Sequence, residues 1–428
     1  MTNEGPLRLI KITQGELDAF ARKHMMFRAA RVGGARAMLS RHDLSGLKLE
    51  HYDFSHADMT GVSLNGANAR GAVFDYCNFF GADLRCCNLQ GASLVRADLR
   101  GAFLRGANLI GANMAGADLR EGFLASTESD GTIVPLHRDR SASESGGADL
   151  SGANLSEARL SGAVATGTNF SDATMRSCKI VRASLEGANF SGANLEGADL
   201  SQCDLNAVNM RGAVLVNAAL NIASLEHASL AGAMTNLPLG PTAKDLPERL
   251  DELLRKHAVW VNSDGMQGAQ LDISGHDMRG TTSFVRATLT LFKAEEAILY
   301  GLNLTETEMQ AAYLRHADMR HITGQKADFR GADMTGAQLT HANLREARFD
   351  SLISPQGKAI RSNLSNANLR YADLSGASFR QAKLNDTDLS CANLLGADLT
   401  GAEMTGTILT GARLNESQQA LLDRAKGK

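Results

Sequence analysis

The sequence predicts an all-β solenoid in two tandem modules, each opened by a short capping helix. Three observations carry this. Every fifth residue from Leu44 to Leu124 is apolar without a skip, and a second unbroken run extends from Leu150 to Leu230. Two residues before most of these centres stands a small residue, as in Ala82-Asp83-Leu84, Ala97-Asp98-Leu99 and Ala188-Asn189-Phe190. The segment from Leu17 to Phe27 reappears from Leu250 to Trp260, offset by 233, and His42-Asp43-Leu44 recurs as His276-Asp277-Met278, offset by 234. A beat of five fits neither the helical period of 3.6 nor the strand period of two, so the unit is a short extended segment plus a corner. In such a segment positions i and i−2 share one face. Leu and Ala therefore point inward, Asp or Asn points out, and the frequent Gly turns the corner.

The unit A-(D/N)-L-x-x, seen in Gly91-Ala92-Ser93-Leu94 and Gly111-Ala112-Asn113-Met114, resembles the pentapeptide-repeat family over most of the chain. The resemblance implies a right-handed quadrilateral β-helix with four pentapeptides per coil, so that stacked positions lie twenty residues apart. Coils would then be separated by ~4.8 Å, the ordinary interstrand spacing. Such a stack needs both ends covered, because open end coils are exposed strand edges.

The elements follow in order. Residues 1–41 form an N-terminal capping-helix region, with Thr13 and Glu16 at capping-box spacing and a stripe of Leu17, Phe20, Ala21, His24 and Phe27. Residues 42–235 are the first run of pentapeptides, broken by a loop insertion at 125–147 that contains Ile133-Val134-Pro135-Leu136. Residues 236–270 hold a linker and second capping helix, with Asp245 and Glu248 as a capping box, Pro247 in the first turn, and a stripe of Leu246, Leu250, Leu253, Leu254, His257 and Val261. Residues 271–414 are the second run. Its register slips by one residue between Met278 and Phe284, which predicts a bulge near Thr281, and it carries a second insertion at 350–361. Residues 415–428 read as a closing C-terminal helix.

Composition sets broad bounds. A chain of 428 residues exceeds one ordinary core, but a solenoid grows by adding coils. Aromatics at 5% and a single tryptophan suit a narrow interior, and 44 basic against 47 acidic residues imply no single-sign field. The start, Met1 to Pro6, lacks a secretory pattern, and no apolar run approaches the ~20 residues that cross a bilayer, so a cytoplasmic protein without membrane contact is expected. Cys77, Cys87, Cys178 and Cys203 fall at the inward i−2 position as small apolar fillers, whereas Cys86 and Cys391 face out.

No nucleophile–base pair, metal cluster or phosphate loop stands out, so no catalytic, cofactor or metal residue is assigned. The glycines sit at the fifth repeat position rather than between a strand and a helix. His24 and His257 read as packing histidines. His51 and His56 occupy successive corners whose side chains diverge, and a third ligand is missing. Asn303-Leu304-Thr305 matches a glycosylation sequon but is an ordinary repeat unit. The twenty-residue stacking implied by the resemblance sets Arg85 with Arg105, Arg100 with Arg120, and Phe103 beneath Phe123. Laced with Asp83, Asp98 and Asp118, these arginines read as solvated ion pairs, and direct nucleic-acid binding is not expected because no aromatic platform interleaves them.

The expected function is a non-enzymatic protein-binding scaffold, two rigid rods joined by residues 236–268. Its candidate partner surface is Phe103, Phe123, Ile133, Val134 and Leu136 with Arg100 and Arg120, the inserted loop folding back over the two phenylalanines. The resemblance implies an alternative, a DNA-mimic modulator or protector of a bacterial type II topoisomerase such as DNA gyrase, and homodimerisation through the C-terminal segment. Asp58, Asp83, Asp98 and Asp118 stand where mimicry would sit, yet Asn, Ser, Phe and Val fill many equivalent positions. A third reading, an enzyme with a site between the rods by His257 and Trp260, finds few convergent polar groups to support it.

Overall fold

In a computed structural model of the chain, the residues described are 9–120, 125–127, 133–135, 147–220, 225, 227–281, 284–353, 357–415 and 418. The chain divides into two compact units, Met1–Leu237 and Pro238–Lys428.

In the first unit the five-residue beat becomes a stack of twenty-residue coils. Asp43 bridges Ser63, Ser63 bridges Asp83 and Asp83 bridges Phe103, all parallel, and each pentapeptide adds one such bridge at the residue before its centre. The extended part of the repeat is thus a single bridging residue rather than a strand, because the corner follows at once. Leu64 N donates to Asp83 O at 2.7 Å and Asp83 N to Val62 O at 2.8 Å, while Ala67 N closes the corner on Leu64 O at 2.9 Å. These bonds satisfy backbone groups that a narrow interior would otherwise strand away from water. The corner residue two past the centre is left-handed, whether glycine (Gly66, φ 65°) or not (His56, φ 65°; Cys86, φ 54°).

Inside, Leu99 and Leu195 are buried, as are Ala82, Ala97 and Ala188 at the i−2 positions. Phenylalanines stack along the axis, Phe54 on Phe74 at 6.3 Å and Phe170 on Phe190 at 4.8 Å between ring centres. Helix α1, Gln14–Arg28, covers the first coil, with the predicted capping box between Thr13 and Glu16 in place. Leu17 and His24 are buried, but Phe27 is 45% exposed: it lies in the last turn, stacked against the outer side of His24 rather than in the buried stripe. A strand that the sequence did not announce, β1 at Ile10–Lys11, pairs in parallel with β2 at His42–Asp43.

The first insertion lengthens one coil. Asn88 pairs with Asn108, but Asn108 pairs with Asp149, so twenty-one residues enter without disturbing the stack above. Within them β3, Ala125–Thr127, pairs antiparallel with β4, Ile133–Pro135.

The second unit repeats the plan. Helix α2 spans Leu250–Asn262 and begins later than Asp245 and Glu248 predict: its N-cap is Arg249, without a side-chain cap. Asp245 instead accepts the Thr242 N–H at 2.7 Å and hydroxyl at 2.8 Å, closing an upstream turn, and Glu248 pairs with Lys256 at 2.5 Å. Pro247 consequently precedes the helix. The predicted register slip is present: Asp272 and Asp277 bridge Lys293 and Ile298, twenty-one residues on, whereas Thr288 bridges Glu308, twenty on. Gly324, the one glycine at a centre, leaves room that the Leu344 side chain fills, 3.0 Å from where a Cβ would stand.

The second insertion adds ten residues, Asp333 bridging Asn363, and forms an antiparallel pair of β5, Leu352–Ile353, with β6, Ala359–Ile360. Buried Ser362 anchors its base. The Ser362 hydroxyl oxygen receives the Gly331 N–H at 2.8 Å and lies 2.9 Å from Asp350 O and 3.1 Å from Phe329 O. At the far end Asn415 and Gln418 exchange backbone-to-side-chain hydrogen bonds of capping-box type at 2.7 and 2.9 Å. The remainder of the expected C-terminal helix, and dimerisation through it, lie outside the described residues. Among the described residues no helix is long and apolar enough to cross a membrane.

Candidate partner-binding surface

Residues i−1 and i+1 of a pentapeptide both point outward, so Asp before the centre and Arg after it meet on the surface. In Asp98-Leu99-Arg100 the guanidinium donates Nε to Oδ1 at 2.8 Å and Nη2 to Oδ2 at 2.7 Å, and Asp118-Leu119-Arg120 repeats both distances. Each aspartate also accepts the backbone N–H of its own arginine, at 3.2 Å and 3.3 Å, the local turn chemistry that favours Asp here. Asp83–Arg85, Asp277–Arg279, Asp318–Arg320 and Asp328–Arg330 use the same fork. Burial alone pushes the Asp118 carboxyl up, but hydrogen bonds from Arg120 and the charges of Arg120 and Arg159 outweigh it and hold the group below its usual range. Where a pair is largely exposed, as at Asp98–Arg100, it stabilises little. What they do is fix two long side chains in one orientation.

Arg100 also lies over the Phe80 ring, 5.3 Å from its centre, so one aromatic does enter this basic column, contrary to the sequence expectation. Across the first insertion Asp118 bridges Arg159, which brings Ser161 over Arg120, and Arg182 follows one coil beyond Gly162. Two long arginines are thus succeeded by a hydroxymethyl group and a bare backbone. The result is a surface cavity of about 590 Å³ lined by Arg100, Arg120, Ser161, Gly162 and Arg182.

Of the other predicted contact residues, Phe103 is half-buried and bridged to Asp83. Ile133 and Val134 pair with Thr127 and Ser126 across the β3–β4 hairpin. Phe123 and Leu136, and with them the expected folding of the loop over Phe103, lie outside the described residues.

The histidines are absorbed by the fold. His24 is buried, its Nδ1 accepting Ala37 N at 3.1 Å and its Nε2 lying 3.0 Å from Ser55 O. His257 is likewise buried within the second unit, its Nδ1 accepting Leu271 N at 3.0 Å beside Trp260 and Phe292. His51 packs where Gly71 leaves space, its Nδ1 2.7 Å from the position of a Cβ, whereas His56 stacks on Tyr76 at 4.9 Å in a separate column. Among the described residues no three His, Cys, Asp or Glu side chains group as a metal site. Three of the four inward cysteines are more than fillers. The thiols of Cys77, Cys178 and Cys203 donate to the carbonyls of Phe54 (2.8 Å), Leu155 (2.6 Å) and Ile180 (2.9 Å) in the coil below.

A profile of pentapeptide repeats matches eight stretches, 48–85, 87–124, 146–180, 168–206, 183–221, 325–350, 357–386 and 377–416, together more than half of the chain. The chain belongs to the pentapeptide-repeat family. Among solved structures, this pentapeptide-repeat protein is similar to HetL from Nostoc sp. strain PCC 7120, a protein involved in heterocyst differentiation regulation, at 21% identity over 91% of this chain and 93% of that one, with a TM-score of 0.15. A second repeat protein from Nostoc PCC 7120, alr5209, is 32% identical over 26% of this chain and 82% of its own, TM-score 0.22. QnrB1, a plasmid-mediated fluoroquinolone resistance protein, is 23% identical over 46% of this chain and 90% of its own, TM-score 0.20. No curated relative matches the chain.

Proposed function

We propose that this pentapeptide-repeat protein is a non-enzymatic scaffold, each unit a right-handed quadrilateral β-helix, that holds a protein partner on its repeat faces. The observation that carries the reading is the row of forked Asp–Arg pairs ending at the arginine-lined cavity beside the first insertion. Side chains fixed in advance lose little freedom on binding, which is what a docking face needs. The test is affinity capture from the native host by the full chain and by an Arg100→Ser, Arg120→Ser variant, which removes the forked pairs from this face. Loss of a specifically captured protein in the variant, with folding intact, supports the reading; identical capture by both counts against this face.

The gyrase-directed alternative requires bare rows of carboxylates, but Asp83, Asp98 and Asp118 are each neutralised by the arginine two residues on. In a supercoiling assay the protein is therefore expected to leave gyrase activity and drug sensitivity unchanged.

A further inference from the structure

We propose that the cavity between Arg120 and Arg182 is a phosphoryl-binding site, which takes a phosphoserine or phosphothreonine side chain presented by the protein partner. The inference rests on the scaffold reading and adds the chemistry of the contact.

The donors are already in position. Nε and Nη2 of Arg100 and of Arg120 are engaged by Asp98 and Asp118, which holds each guanidinium in plane and leaves Nη1 for an incoming acceptor. Arg182, on the opposite lip, is exposed and makes no ion pair among the described residues. Three guanidinium groups around one cavity match the three terminal oxygens of a phosphomonoester better than the two of a carboxylate. The charge matches as well. Among the described residues Arg100, Arg120, Arg159 and Arg182 stand against Asp98 and Asp118, an excess of two positive charges. A phosphorylated side chain carries about −1.5 to −2 at pH 7. Lys179 and Asp199, the next two charges in the column, are of opposite sign and cancel in this balance. Room for the group comes from Ser161 and Gly162, the only small pair to follow the two arginines in that column. Nucleic acid is the poorer fit, since the column continues with Val181 and Ser201 instead of further cations or aromatics.

The experiment uses the full chain and fluorescein-labelled peptides with a neutral Gly/Ala background, followed by anisotropy at low and moderate salt. The arms are one phosphoserine, its unmodified serine twin, a glutamate twin, and a single-stranded oligonucleotide. Saturable binding of the phosphopeptide, at least tenfold weaker for both twins and the oligonucleotide, is the expected result. Arg182→Gln is expected to weaken it about tenfold, the scale of one lost charge-assisted contact. The substitution is compatible with the corner, because Gln202 occupies the equivalent left-handed position in the next coil at φ 60°. Equal binding of the glutamate twin, preference for the oligonucleotide, no phosphopeptide binding, or indifference to Arg182→Gln each overturns the site. Phosphatase treatment of the captured native partner separates the two proposals. Capture that survives both phosphatase and Arg182→Gln removes the phosphoryl site and leaves the scaffold standing, whereas capture lost to both supports the site.

Discussion

His24 and His257, 233 positions apart, hold the same post: each is buried beneath its capping helix and accepts, through Nδ1, a backbone N–H from the coil below, Ala37 at 3.1 Å and Leu271 at 3.0 Å. Nδ1 can accept only in the neutral ring, with the proton on Nε2, where His24 donates to Ser55 O. The duplicated helices are therefore pinned by an interaction that protonation breaks.

Burial holds both imidazoles below the ordinary histidine value. The unfolded chain takes its proton near pH 6.5, before the folded one does, so the stability these groups contribute is complete above about 6.5 and is lost as pH falls below it. Melting temperature is expected to be level from pH 8 to 7 and to drop between pH 6.5 and 5. A double variant, His24→Gln with His257→Gln, is expected to be less stable at pH 8 and to show a shallower drop. A wild-type profile that stays level to pH 5 would remove the pinning role.

Ser362 closes the base of the second insertion by receiving the buried Gly331 N–H. Replacing it with alanine leaves that N–H only its longer contact to Asp350 O at 3.3 Å, at a cost of about 0.5–1.5 kcal/mol. Denaturant melts of Ser362→Ala against wild type measure this, and a difference within error would show that the insertion base is held elsewhere.

Phe329, Phe349 and Phe379 form a continuous stack in the second unit, with ring centres 5.2 and 4.7 Å apart. Phe349→Ala empties its middle layer, and about 3–5 kcal/mol is the expected loss. Neighbouring coils share the damage because each contacts only the next. Hydrogen exchange is expected to rise on both sides of residue 349 and to stay at wild-type levels in coils of the first unit.

Register arithmetic predicts which deletions the first unit tolerates. Because Asn108 bridges Asp149, the excursion is twenty-one residues long, and removing 125–145 restores the beat of five from Leu124 to Leu150. Removing 125–147 shifts every following centre by two positions and turns inward residues out. The shorter deletion is expected to keep the wild-type circular dichroism spectrum and melting temperature to within a few degrees. The longer one is expected to unfold the coils that follow, and equal melting of both would refute the register assignment.

How much of this was legible follows from how local each feature is. Leu84 and Ala82 declare themselves because inwardness depends on two neighbouring positions, and the Thr13–Glu16 box needs only three. The same spacing misled at Asp245 and Glu248, since Thr242 lay three residues upstream of Asp245 and offered both a hydroxyl and a backbone donor. Strand β1 is two residues long and shows no period. The Cys77 thiol finds its acceptor, Phe54 O, twenty-three residues back, so it becomes a donor only once the coils are stacked. The cavity was out of reach for the same reason. A rule of twenty cannot set Ser161 over Arg120, since the insertion makes that step forty-one.

The six cysteines do not share one reactivity. Burial raises the thiols of Cys87 and Cys178 to about 12 and also pushes up those of Cys77 and Cys203, so thiolate is scarce at all four near neutral pH. Cys86 stands exposed at a corner and Cys391 is half-exposed. The native protein therefore comes with its own attachment points, one in each unit. A bulky maleimide dye will mark Cys86 first, giving a reporter in the same unit as the arginine cavity without engineering a new residue.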